Sequence, residues 1–343
     1  MLAERLNAQL LAGPPARDPV AVCERLLAVQ GQDPRAFRLA VRARTTGLTA
    51  ADVDRALTED RSLVVAWLNR GTLHLVRGED YWWLHALTAP RLVTGALRRL
   101  DQEGVRDPDR AAAAIERALA EDGPLTRDQV AARVDLRGQA VYHALFLAAI
   151  RAGVVRGPVV GRQHAFVLAR DWLGEPPGVD PEVALAELAR RYLAGHGPAG
   201  ERDLAQWAGL PLRDARAGLK AIAGELEERE AGCVALAGRG AMGRGASAGR
   251  RAAPAALPPP RLLGGWEPVL LGWASREPIV GPHRDTLTVA GLFRSFAMVG
   301  GRAVATWRLT DGKVELSPLE EIAAEDAAAL EEDAADVRRF LGL

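Results

Sequence analysis

Along most of the chain, apolar residues recur at helical spacing, and glycine and proline cut the pattern into short segments. Over the first hundred residues the spacing predicts helices near 2–12, 19–29, 35–42, 50–58 and 61–68, then a strand-like Thr72-Leu73-His74-Leu75-Val76. Gln30-Gly31 ends the second of these helices, and Asp33-Pro34 offers an N-cap followed by proline at the first position of the next. A helix containing 115–119 stops at Gly123-Pro124, and Thr126 with Gln129 forms a capping box that starts another. A third helix covers about 139–151 and stops at Gly153, after which 154–168 reads as two strands around a short turn. The helical part repeats at 183–193, 202–208 and 213–222, with a poorer strand signal behind it. Short apolar runs at 269–274, 278–281, 286–290, 295–299 and 302–309 then predict a small antiparallel sheet or barrel, and an acidic helix from about 318 to 340 closes the chain.

Three helices followed by a hairpin is the winged helix-turn-helix order, a fold whose polar wing and recognition helix commonly contact DNA. The expected fold class is therefore α+β, with tandem winged helix-turn-helix units followed by a small C-terminal β-barrel. The pattern divides the chain into unit 1 over 1–105, unit 2 over 106–172, unit 3 over 180–235, a basic flexible loop over 236–260, and the barrel with its acidic helix over 261–343. At 343 residues the chain exceeds a single ordinary core, and 48% apolar residues with only 5% aromatics favour many helices. No apolar run reaches the ~20 residues of a membrane helix, so a cytoplasmic, nucleoid-associated monomer with no membrane partner is expected. Cys23 and Cys233 are far apart, and the six histidines form no ligand-spaced cluster, so neither a metal nor any other cofactor is expected.

Formal charge is zero, 44 basic against 44 acidic residues. The balance hides an asymmetry. Residues 315–343 hold nine carboxylates and two arginines, a local charge of −7, while 232–314 hold eleven basic and four acidic residues, or +7. The stretch 136–170 contains Arg137, Arg151, Arg156, Arg162 and Arg170 with no carboxylate, a candidate phosphate-contacting face. A second basic stretch lies at 239–251. Arg162 and His164 fall on the predicted wing, which is otherwise a solvated loop.

Candidate chemistry centres on Gln30 and Gln32, at a helix-helix junction. An amide both accepts and donates hydrogen bonds but takes up no proton at neutral pH, so the pair is a poor general base and an adequate positioner of water. The plainer reading is two solvated residues at a helix end. Arg70, Thr72 and His74 face the same choice: a strand end whose Arg70 pairs with Glu79 or Asp80 and whose His74 satisfies a core bond, or a phosphate contact beside an active-site water. Trp82 and Trp83 beside Tyr81 suit a core better than a base-stacking platform, given Leu84 and Leu87 at helical spacing.

Gln30-Gly31-Gln32, Arg70 to Val76 followed by Glu79-Asp80, and Gly301-Arg302 with Thr306-Trp307-Arg308 together resemble the AlkZ-type winged-helix DNA glycosylases, also called the YcaQ-like proteins. The resemblance spans nearly the whole chain. It implies winged-helix units and a barrel around a basic channel for double-stranded DNA, with excision of alkylated purines and, in some relatives, unhooking of interstrand crosslinks. It also implies Gln30 and Gln32 as catalytic residues, with Arg70, Thr72, His74, Arg137, Arg156, Arg162 and His164 toward DNA. A purine alkylated at N7 is cationic and leaves readily, which suits a weak catalytic apparatus. One departure is Gly265-Trp266-Glu267-Pro268, where a Pro-Phe-Asp type start to the barrel is expected. A non-catalytic winged-helix regulator is the competing reading, and it has no need of the two glutamines.

Overall fold

In the computed structural model the described residues are 1–160, 163–238, 256–289 and 291–343. They form two compact units, one from 1–53 with 185–343 and the other from 54–184. The first unit begins with α1 (Leu2–Ala8), α2 (Pro19–Leu26), the two-residue strand β1 (Val29–Gln30) and α3 (Pro34–Arg42). Two of these helices start on the same chemistry. Asp18 accepts from the amide of Ala21, and Asp33 from those of Arg35 and Ala36, each ahead of a proline at the first helical position. Helix α4 (Ala50–Thr58) leads into the second unit.

There, β2 (Leu63–Leu68) and β3 (Thr72–Arg77) form a hairpin, followed by α5 (Gly78–Thr88), α6 (Val93–Gln102), α7 (Pro108–Asp122), α8 (Arg127–Val134), α9 (Gly138–Ala152), β4 (Val154–Val160), β5 (Gln163–Leu168) and α10 (Ala169–Leu173). The sheet of this unit runs β3-β2-β4-β5, antiparallel throughout. Its core is aromatic: Trp67 stacks on Phe166 at 6.1 Å and takes the edges of Tyr142 and Phe146 at 5.9 and 5.8 Å. The predicted helix over 61–68 is in fact β2. All six of its residues are buried, and a short, fully apolar run has no polar face by which a period of 3.6 can be told from a period of 2. The Thr126–Gln129 capping box and the left-handed Gly153 that ends α9 stand where the sequence places them.

The first unit resumes with α11 (Pro181–His196), α12 (Glu201–Ala208), α13 (Leu212–Ala221) and a short hairpin of β6 (Leu226–Glu228) and β7 (Val234–Leu236). Strand β8 (Arg261–Leu263) then precedes three single-turn helices, α14 (Pro268–Leu271), α15 (Glu277–Val280) and α16 (Arg284–Leu287). After these come β9 (Thr288–Val289), β10 (Leu292–Phe293), β11 (Phe296–Val299), β12 (Arg302–Thr310), β13 (Lys313–Pro318) and α17 (Ala324–Leu341). Among the described residues the expected barrel is an open antiparallel sheet of order β13-β12-β11-β8. The apolar runs at 269–274 and 278–281 supply helix turns instead of strands, because Pro268 and Pro278 sit where a first helical turn tolerates proline. With those runs helical, too few strands remain to close a ring. Helix α17 covers one face of the sheet, packing Leu330, Ala334 and Val337 with Trp307, Leu262 and Leu39.

Two buried arginines of the α3 region tie the ends of this unit together. Arg44 and Glu267, both wholly buried, meet at 2.6 Å, and Arg44 also donates to the Gln9 carbonyl, the Gln9 side chain and the Ala40 carbonyl. The departure at Gly265–Pro268 thus keeps a carboxylate with a definite partner. Arg42 donates two bonds to Asp333 at 2.9 Å, and the Leu262 amide donates to the same carboxylate. Close packing fixes α11 as well: a Cβ at Gly195 would lie 2.2 Å from the Arg25 carbonyl at the end of α2.

Removing one charge of a buried pair leaves the other uncompensated, at a cost of roughly 3–5 kcal/mol. The Glu267→Gln variant is therefore expected to lose stability of that order in denaturant unfolding; a loss below about 1 kcal/mol would show that Arg44 does not depend on Glu267.

Candidate active site

The glutamine segment is held from both sides in the first unit. Helix α2 ends in a turn at Leu27, with φ +63° and ψ −48°, closed by the Ala28 amide donating to the Leu26 carbonyl at 2.7 Å. This positive-φ γ-turn is costly for a branched residue and is retained only where packing enforces it. Leu27 is completely buried. On the other side Asp33 caps α3. Between these anchors Gln30 is buried, Gln32 is exposed, and the Gln30 Nε2 donates to Gln32 Oε1 at 2.8 Å. The bond sets the orientation of both amides, with Gln30 as donor and Gln32 as acceptor.

In the second unit Arg70 occupies the tip of the β2–β3 hairpin between Asn69 and Gly71, both at positive φ. Asn69 is fixed through its amide to the Thr88 hydroxyl of α5. The carboxylates proposed for Arg70 are engaged by Arg77, which bonds Asp80 at 2.6 Å and meets Glu79 at the same distance. Thr72 opens β3, half-buried, and its carbonyl accepts from His74 Nδ1 at 2.9 Å. Since a carbonyl only accepts, that bond requires the proton on Nδ1. Burial, aided by the positive charge of Arg70, pushes the His74 pKa down to about 3, while the Thr72 carbonyl pulls weakly the other way. His74 is thus a neutral imidazole across the physiological range and no proton donor of the charged kind.

The arginines of the acid-free stretch have different fates. Arg151 pairs with Asp109 of α7. Arg156 lies over the Phe166 and Trp67 rings at 4.2 and 5.5 Å, where burial lowers its pKa to about 10. Arg137 is exposed at the start of α9 and makes no side-chain cap bond. His164 is half-buried, its Nδ1 3.4 Å from the Gly157 carbonyl. Arg162 and the basic stretch 239–251 lie outside the described residues. Tyr81 is buried and Trp82 and Trp83 half-buried, their indole N–H groups bonded to Gly174 and Asp80. Sequence reasoning passed over α6, whose exposed Arg98 and Arg99 stand opposite the buried Ala96 and Leu100. A polar face with two adjacent arginines was the available signal.

A family model for AlkZ-like DNA glycosylases matches residues 23–340. The chain belongs to the AlkZ-like DNA glycosylase family. This glycosylase is 29% identical over 369 aligned positions to the "Interstrand DNA cross-link repair glycosylase" of Streptomyces sahachiroi, an alignment covering all of this chain and 96% of the relative. The solved Streptomyces sahachiroi DNA glycosylase AlkZ shares its fold, with a TM-score of 0.78 at 24% identity over all of this chain and 96% of that one. Membership makes the chain an enzyme acting on DNA, which removes the non-catalytic regulator as a reading. Among the described residues no group of three or more His, Cys, Asp or Glu side chains could hold a metal ion, and no helix is long and apolar enough to cross a membrane.

Because the folded-state pKa of His74 lies below its unfolded value of about 6.5, the unfolded chain binds a proton that the folded chain refuses. Stability should fall as pH drops from about 6.5 toward 3, by up to about 1.4 kcal/mol per pH unit from this group. A His74→Gln variant should show a flatter pH dependence of its unfolding midpoint, and an identical dependence would refute the burial of a neutral imidazole. Arg156→Ala should cost about 1–2 kcal/mol through lost ring contacts, read by denaturant unfolding, whereas an unchanged midpoint would remove the packing role.

Proposed function

We propose that this glycosylase hydrolyses the N-glycosidic bond of N7-alkylated, cationic purines in double-stranded DNA, interstrand crosslinks included. The Gln30–Gln32 hydrogen bond carries the reading. It presets two amides at the junction of a strained turn and a capped helix, an arrangement suited to orienting a water and unable to ionise it. In the reaction the water oxygen bonds to C1′ while the C1′–N9 bond breaks. The bonding pair passes to the purine and neutralises its positive charge, and the water proton leaves to solvent, giving an abasic sugar in an intact strand. A leaving group that already carries charge needs no general acid, which is consistent with a buried, neutral His74. The crosslink reading is supported by the similarity to the Streptomyces sahachiroi glycosylase named for interstrand DNA cross-link repair.

Double-stranded DNA is bound, in this reading, through winged-helix units over 106–172 and 180–235, where helices α7 to α9 with the β4–β5 hairpin, and α11 to α13 with the β6–β7 hairpin, follow the required order. Arg70, Arg137 and His164 contribute on the DNA side, and Thr72 orients the hairpin that carries Arg70. Release occurs without strand scission. A lyase needs an amine in an enclosed, activating site, and the two lysines of the chain, Lys220 and Lys313, are both exposed.

Duplex DNA containing 7-methylguanine, scored for alkali-labile sites, should show release above the spontaneous rate, falling by about 100-fold in Gln30→Ala or Gln32→Ala. Borohydride should trap no protein–DNA adduct. Wild-type release by both variants would refute the two-amide mechanism, and an adduct lost on substitution of Lys220 or Lys313 would replace it with a covalent one.

A further inference from the structure

A pocket of about 500 Å³ opens in the second unit, lined by Arg70, Arg91, Arg98, Arg99, Tyr142 and His143, with Gly95 among its walls. Its guanidinium groups come from three places: the β2–β3 hairpin tip, the turn before α6, and α6 itself. Among the described residues Arg98 and Arg99 form no ion pair, and both are exposed. Two adjacent unpaired guanidinium groups at the wall of one concavity favour the entry of an anion. The field is felt by the histidine on its wall. The pKa of His143 is lowered chiefly by burial and further by Arg99, against a weaker opposite pull from Glu103.

Gly95 supplies independent evidence. It lies inside α6, where glycine is a poorer helix former than alanine. A Cβ built there meets no atom within 4 Å, and its φ lies outside the left-handed region. Neither packing nor backbone conformation asks for glycine at this position. Residues 95, 98 and 99 share one face of α6 by their spacing, so the bare backbone at Gly95 leaves a gap beside the arginines. Glycine at such a place allows a ligand to approach the main chain closely.

We propose that this pocket is a phosphate-binding subsite that seats a phosphodiester group of the DNA backbone, with Arg98 and Arg99 as its principal ligands and Gly95 as the space that admits it. The assignment rests on the DNA-glycosylase reading above for the identity of the polyanion. Planar guanidinium groups take phosphate oxygens in pairs, and the half-buried Tyr142 hydroxyl adds a neutral donor of the kind that positions backbone without reading sequence.

Two variants test it in the full-length protein. Arg98→Ala with Arg99→Ala removes the ligands. Gly95→Leu keeps every charge and fills the space, and it should fold because the position is exposed and a Cβ there meets no atom within 4 Å. Binding to an undamaged duplex is measured by fluorescence anisotropy over a salt series. The double variant is expected to flatten the slope of log K against log salt by about 1.8, at about 0.9 per lost contact. Gly95→Leu is expected to weaken binding at least tenfold, with an unchanged circular dichroism spectrum and an unfolding midpoint no lower than that of the wild type. Wild-type affinity and slope in both variants would overturn the subsite. If pyrophosphate raises the melting temperature of the wild type and not of Gly95→Leu while both bind duplex alike, the pocket takes free phosphates and the DNA assignment is overturned. Failure of the wild type to release 7-methylguanine, with variant binding still impaired, would count against the proposed reaction and leave the subsite standing.

Discussion

The buried pairing of Arg44 with Glu267 is the constraint on which the first unit depends. A guanidinium with no exposure is tolerated only when its charge is matched and its donors are engaged, and Arg44 makes four bonds, to one carboxylate, two carbonyls and one amide oxygen. Those partners come from the residues after α1, from α3 and from the segment before α14. Arg42, two residues earlier, pairs in turn with the buried Asp333 of α17, its Nε alone left without a partner. Helix α3 is thereby anchored by charge as well as by Leu39 and Phe37, and the segment leading into it, with Gln30 and Gln32, inherits that placement through the Asp33 cap. The two glutamines therefore owe their geometry to residues hundreds of positions away.

Zero net charge coexists with a polyanionic substrate because the arginines are sorted by environment. Arg77, Arg151 and Arg190 are matched to carboxylates, Arg156 and Arg61 lie over aromatic faces, and Arg42 and Arg44 are internal ties. Subtracting these leaves a smaller set, with Arg98, Arg99 and Arg137 in the second unit, as the exposed positive surface. A near-exclusive use of arginine over lysine suits all three environments, since a planar, weakly hydrated cation can stack, be buried or grip an oxyanion.

What could be read from sequence follows from how local each determinant is. The Asp33-Pro34 and Thr126–Gln129 starts and the Gly153 stop are decided within four residues, and they stand where expected. The β2 strand was misread as helix because Leu63 to Leu68 carries no polar face, so only its neighbours in the sheet decide its conformation. The barrel failed for a related reason: the runs after Pro268 and Pro278 are apolar because they are buried, and burial alone does not choose strand over turn. At the site, the glutamine segment was legible from its flanking helix signals. The hydrogen bond between the amides and the strained Leu27 turn were not, since both arise from tertiary packing. The place of Arg156 over Trp67 and Phe166 was not legible either, because those rings lie on other strands.

Gly195 shows how far such packing reaches. Its missing side chain lets α11 touch the last carbonyls of α2, and α2 ends in the Leu27 turn that launches the glutamines. Any side chain at 195 would push on that turn, so evolutionary drift at a remote helix position is coupled to the aim of the two amides. The glutamine segment has little freedom of its own; its stiffness is borrowed, and a single methyl group far along the chain revokes the loan.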